Sequence, residues 1–226
     1  MVVLTDFVVI FTSEMCPKDT KLSLNQEELV LVNNKSLIDS KRKVLSHIVE
    51  LLGDAENSIH QLVADYRHLL PDEMISKRGK ISRGENYKGY PWVVLDHPAL
   101  FGKVDFMAFR TLFWWGDSFS LIFQAGGKYL SGFGTEKFIA SLSQQFPELL
   151  VCIGESPWEH HYERDNYTML SDDFNVASFH SHCNAKNFLK IAFRFPLERI
   201  NEMNFLLTER MTAMLELWQS GADNLS

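Results

Sequence analysis

Val104-Asp105-Phe106-Met107-Ala108-Phe109-Arg110-Thr111-Leu112-Phe113-Trp114-Trp115, then Gly116-Asp117, then Ser118-Phe119-Ser120-Leu121-Ile122-Phe123-Gln124, is the stretch that decides the fold. Aromatic residues at this density suit a pleated, half-buried surface. Gly-Asp is turn chemistry, and the segment after it alternates polar and apolar before running fully apolar at Leu121-Ile122-Phe123. That run predicts burial on both faces of a strand. The two segments therefore read as a β-hairpin with Trp114, Trp115, Gly116 and Asp117 near its tip, one tryptophan facing the core.

Further strands flank this hairpin in the sequence. Phe188 to Phe195 alternates, with Phe188, Lys190, Ala192 and Arg194 on one face and Leu189, Ile191, Phe193 and Phe195 on the other. Pro91 to Leu95 reads as a short strand closed by Asp96-His97-Pro98, and Leu149 to Ile153 as another.

Helical spacing appears on both sides of the β region. Leu37, Lys41, Val44, Leu45, Ile48, Val49 and Leu52 form a stripe from Ser36 to a stop at Gly53. Ile59, Leu62, Val63, Tyr66, Leu69 and Leu70 form a second, from Asp54 to Pro71, so the two predict a helical hairpin. Thr135 caps a middle helix bearing Phe138, Ile139, Leu142 and Phe146, and Pro147 ends it. Ile200, Met203, Leu207, Met211, Met214, Leu215 and Trp218 mark a long C-terminal helix, with a homodimer seam as its second use. Residues 71–91 and 154–187 read as two long polar connections. The expectation is an α+β fold: an antiparallel sheet of about five strands covered by an N-terminal helical hairpin, a middle helix and a long C-terminal helix. Residues 1–226 form a single domain in this reading, with 1–35 as a loosely packed N-terminal extension.

Composition narrows the function classes. Of 226 residues 46% are hydrophobic, enough to bury a core without a staple. A net charge of -7 argues against a nucleic-acid footprint, since phosphate binding needs clustered Lys and Arg. Cys16, Cys152 and Cys183 are too few and scattered for a disulfide framework, which points to a reducing, cytoplasmic setting. The apolar start, Met1 to Phe11, carries Asp6 and no positive flank, so it reads as neither signal peptide nor membrane span.

Two stretches carry candidate chemistry. Arg83-Gly84-Glu85-Asn86-Tyr87-Lys88-Gly89-Tyr90-Pro91-Trp92 gathers charge, amide, aromatics and two glycines. Arg83 and Lys88 suit an anion, Tyr87 and Trp92 suit stacking on a planar ligand, and the glycines admit close backbone approach. With Glu85, Asn86 and Arg110, which suits a carboxylate or phosphate, these residues form the candidate ligand site. The second stretch is Trp158-Glu159-His160-His161-Tyr162-Glu163-Arg164-Asp165 with His180-Ser181-His182-Cys183. Imidazole, thiolate and carboxylate suit a divalent transition metal, so His160, His161, His180 and His182 are candidate ligands. No HExxH, CxxC, GxSxG, Walker or dinucleotide-binding motif is present, and Cys152 between Val151 and Ile153 reads as a buried thiol.

Two functions fit these residues. The first is a non-enzymatic module that binds a small molecule or protein, with no cofactor, where the 83–92 loop, Arg110 and the 158–165 loop converge. The second is a metal-assisted hydrolase in which the histidines and Glu163 or Asp165 activate water.

Overall fold

The computed structural model describes residues 23–130, 136–171 and 174–223. The apolar start, Cys16 and the Thr135 cap lie outside them. The chain divides into two units, Met1–Arg42 and Lys43–Ser226. In the first, α1 (Gln26–Asn33) opens with a capping box: Glu28 N–H donates to Asn25 Oδ1 at 2.9 Å, and Asn25 N–H donates to Glu28 Oε2 at 2.7 Å. Its Leu29, Val30, Leu31 and Val32 are exposed.

α2 (Lys35–Asp65) begins in the first unit and continues into the second. It replaces the expected helical hairpin with one continuous helix. Gly53 in a helix interior costs about 1 kcal/mol. Against that, Leu45, Ile48 and Leu52 before it and Ala55, Ile59 and Val63 after it share one buried stripe. Each large side chain buried contributes roughly 1.5–3 kcal/mol, so the stripe outweighs the glycine.

The second unit is built on one antiparallel sheet of seven strands, two more than the sequence reading counted. They are β1 (Lys80–Tyr87), β2 (Tyr90–Phe101), β3 (Phe106–Trp114), β4 (Ser118–Gly126), β5 (Leu150–Cys152), β6 (Tyr167–Met169) and β7 (Phe188–Phe195), in the order β1-β2-β3-β4-β7-β5-β6. The β3–β4 hairpin forms in the register Phe106↔Gly126 to Trp114↔Ser118. Gly116 takes the left-handed conformation its turn needs, at φ +73°.

The additional strands come from the two presumed connections. Residues 71–91 hold α3 (Asp72–Ile75) and β1. β1 joins β2 through a two-residue turn in which Lys88 and Gly89 both have positive φ, and Asn86 Oδ1 accepts the Gly89 N–H at 3.0 Å. Residues 154–187 hold β6 and α5, and the helix α4 (Glu136–Gln145) precedes them. α5 (Val176–Lys186) opens with Asn175 accepting the Ser178 N–H at 3.0 Å and closes on Asn187 at φ +55°. β2 continues past Asp96-His97-Pro98, the expected stop, by a register shift between Asp96 and Ala99.

Helices cover one sheet face. There Val93, Leu95, Phe109, Phe119, Phe123, Ile191 and Phe193 pack with α2, α4, α5 and α6 (Met203–Asp223) in one large core. Met203, Leu207, Met211, Met214 and Leu215 of α6 are buried in that core, so the stripe lays this helix on the sheet as expected. No described helix is long and apolar enough to cross a membrane.

The opposite face carries a smaller cluster of Val94, Phe106, Leu112, Trp114, Ile122, Cys152, Tyr167 and Ala192. Trp114 belongs to this cluster and Trp115 packs against the other, as alternation requires.

Candidate functional site

Polar residues interrupt the second face along adjacent strands. Cross-strand registers place Asp96 of β2 opposite Arg110 of β3, and Gln124 of β4 opposite Lys190 of β7. Alternation sends all four to the face carrying the smaller cluster. Arg110 donates to Asp96 from Nε at 2.6 Å and from Nη2 at 3.1 Å, a bidentate pair. Gln124 and Lys190 have no solvent exposure, and neither Gln124 amide atom has a hydrogen-bond partner.

The segment after β5 folds over these residues. Arg110 Nη1 lies 2.6 Å from His160 Nε2, and Lys190 Nζ donates to the Glu159 carbonyl oxygen. Asn166 holds the segment in place, donating from Nδ2 to the carbonyls of Glu159 at 3.2 Å and His161 at 2.6 Å. Tyr87, at the end of β1, offers its phenolic oxygen to the N–H of His160 at 2.7 Å and of His161 at 3.1 Å. Lys88 Nζ reaches Glu163 at 2.9 Å on the outside.

The electrostatics follow from burial. Burial pushes Lys190 down to about 7; neighbouring Cys152 opposes that shift and Arg110 adds to it. Burial, then the charges of Lys190 and Arg110, hold His160 well below the ordinary imidazole value. A neutral His160 imidazole can accept from Arg110 through Nε2. Burial likewise raises the Cys152 thiol, which is unsuited to nucleophilic work. Tyr167 sits with its ring 5.3 Å from Lys190 Nζ.

The structure thus brings together Tyr87, Arg110 and His160 from three distant stretches. Other sequence-predicted residues lie apart. Arg83 and Glu85 are exposed on β1, the outer strand of the sheet, and Asn86 serves the turn. Trp92 packs in the smaller cluster opposite Gly84, where a Cβ would come within 2.5 Å of its indole. His161 is buried with its imidazole 2.9 Å from Glu159, 3.5 Å from Glu163 and 3.9 Å from Asp165, all exposed carboxylates. His180 and His182 lie on α5, not on a strand, and two residues along a helix point to different faces. His180 faces Glu136 at 3.6 Å. Among the described residues, no group of close donors joins His180 or His182 to His160 or His161.

Asp96, Gln124, Lys190 and Asn166 were missed from the sequence. The available signal was Lys190 itself, a lysine enclosed by Phe188, Leu189, Ile191 and Ala192.

No family model, curated protein or solved structure matches the chain. The chemistry of the site therefore rests on its own residues. Of the two basic side chains Arg110 is paired with a carboxylate, Asp96, and the other hydrogen-bond partners are uncharged, an imidazole nitrogen for Arg110 and a peptide carbonyl for Lys190. Such a group is short of negative charge.

Proposed function

We propose that this protein is a non-enzymatic binding module for a small carboxylate or phosphate anion, held by Arg110 and Lys190 beneath the 158–165 segment. The observation that carries this reading is that Arg110 and Lys190 are both largely buried, yet Arg110 pairs with one carboxylate, Asp96, and spends another donor on His160, while Lys190 Nζ donates to the Glu159 carbonyl. Buried cations are ordinarily paired with anions, so an entering carboxylate or phosphate would be the stronger partner for both. It would displace His160 and the Glu159 carbonyl and so lift the covering segment. Gln124, with both amide atoms buried and unpartnered, stands beside Lys190 as an additional donor.

The test is thermal unfolding in phosphate, sulfate, acetate and succinate at fixed ionic strength. One of these anions should raise the melting temperature saturably. Lys190→Met should abolish that response while leaving the protein folded. If none gives a saturable rise in the parent protein, the reading fails.

A further inference from the structure

On the other side of the sheet, unrelated to the anion site, Glu56, His60 and His97 meet. We propose that these three side chains bind a divalent first-row transition cation. Glu56 and His60 are one turn apart on α2, hence on one face of the helix, and His97 comes from the register shift in β2. One donor atom from each lies within 4.8 Å of the others. Glu56 Oε1 is 3.8 Å from His97 Nε2, and the two imidazole rings stack with centroids 5.4 Å apart.

Two features separate this group from an ordinary buried histidine pair. Nδ1 of His60 and Nε2 of His97 are buried and have no hydrogen-bond partner. Leaving both so costs free energy that one shared cation would offset. The carboxylate, moreover, is already oriented: Arg78 Nη2 donates to Glu56 Oε2, and Gly79 N–H donates to Oε1 at 2.9 Å. Outer contacts of this kind fix the ligands of metal sites, and a carboxylate oxygen retains a second lone pair for the ion.

Gly79 is the residue that admits this arrangement. A Cβ there would come within 2.8 Å of Glu56 Cγ, His97 Cβ and Leu95 Cδ1, so only glycine brings the 78–79 backbone close enough to donate. His97 is fully enclosed, whereas the Arg78 side chain is 59% exposed, so the group lies one side chain beneath the surface. Tetrahedral zinc holds its ligand atoms roughly 3.4 Å apart, which small side-chain rotations would supply. Two imidazoles and one carboxylate leave at least one coordination position for water, the arrangement of a reactive rather than a closed structural site. The competing group, His161 with Glu163 and Asp165, has two exposed carboxylates, one of them already ion-paired with Lys88.

The experiment uses the full chain stripped by chelator and titrated with zinc(II), then cobalt(II) for its ligand-field bands. One equivalent should bind, with affinity reduced at least about tenfold in Glu56→Gln and in His60→Asn and unchanged in His161→Asn. Should either variant fail to fold, the imidazole NMR signals of the parent protein decide. Zinc should shift those of His60 and His97 and leave the other histidines in place. Absence of stoichiometric binding by the parent, shifts confined to other histidines, or binding that survives both substitutions and is lost in His161→Asn would overturn the assignment.

Discussion

The phenolic oxygen of Tyr87 accepts two consecutive backbone N–H groups, His160 at 2.7 Å and His161 at 3.1 Å. The last residue of β1 thereby holds the segment that covers Arg110 and Lys190. Its own carbonyl accepts from Trp114 Nε1 at 3.2 Å, and its ring packs 5.2 Å from that indole, so Tyr87 is anchored to the sheet at its other end. Tyr87→Phe keeps the ring and removes the acceptor. It should cost about 1–3 kcal/mol in urea unfolding, because two half-buried donors lose their partner. Hydrogen exchange should quicken at the His160 and His161 amides. Unchanged exchange there would mean that Asn166 alone fixes the segment.

Lys190 makes stability depend on alkaline pH. Its folded value, about 7, is below the ordinary 10.5, so between these values the unfolded chain binds more protons than the folded one. Stability therefore rises as pH goes from 7 towards 10.5, whereas below 7 both states are protonated and the cost of the buried charge is constant. The full effect is roughly 5 kcal/mol as an upper bound. Comparing the parent with Lys190→Met in urea from neutral to alkaline pH isolates it from other titrations. The variant should be the more stable at neutral pH, and the difference should shrink as pH rises. A constant difference would show that Lys190 does not titrate in this range.

Gly53 offers a substitution that should stabilise. It lies inside α2, and a Cβ built there meets nothing within 4 Å. Gly53→Ala should add about 0.5–1 kcal/mol, by removing conformational freedom from the unfolded chain. Thermal unfolding should show a higher midpoint with the same spectrum. A lower midpoint would place a bend or break at Gly53 in solution.

What the sequence disclosed, and what it hid, divides along physical lines. The β3–β4 hairpin and β7 were legible because Phe109, Phe123 and Phe193 sit in dense, regular patterns that burial alone can satisfy. β1 was not, since Lys80 to Tyr87 has no apolar period and owes its place to pairing with β2 and to the Lys88-Gly89 turn. α5 was hidden for a related reason: among its buried residues Phe179 and Cys183 give too few apolar positions to mark a face. Gly53 misled because propensity is local while the stripe from Leu45 to Val63 is not. At the site, Tyr87, Arg110 and His160 stood out by residue type. Glu56, His60 and His97 did not, because 41 positions separate Glu56 from His97 and only the fold brings them together.

The Asp96–Arg110 pair supplies the last prediction. Both side chains are largely buried, with 10% and 15% of their surface exposed, and the pair is bidentate at 2.6 and 3.1 Å. Removing one partner strands the other charge in a low-dielectric setting, which costs about 3–5 kcal/mol, whereas removing both leaves no charge to strand. Asp96→Asn and Arg110→Met should each destabilise in urea unfolding, and the double variant should lose clearly less than the sum of the two. Asp96→Asn should also be worse at neutral than at alkaline pH, because it leaves the Arg110 charge, which already acts against a protonated Lys190, without its carboxylate. Additive losses would show that Asp96 and Arg110 are stabilised by their separate surroundings. The deficit of negative charge beneath the 158–165 segment would then be smaller than the geometry implies.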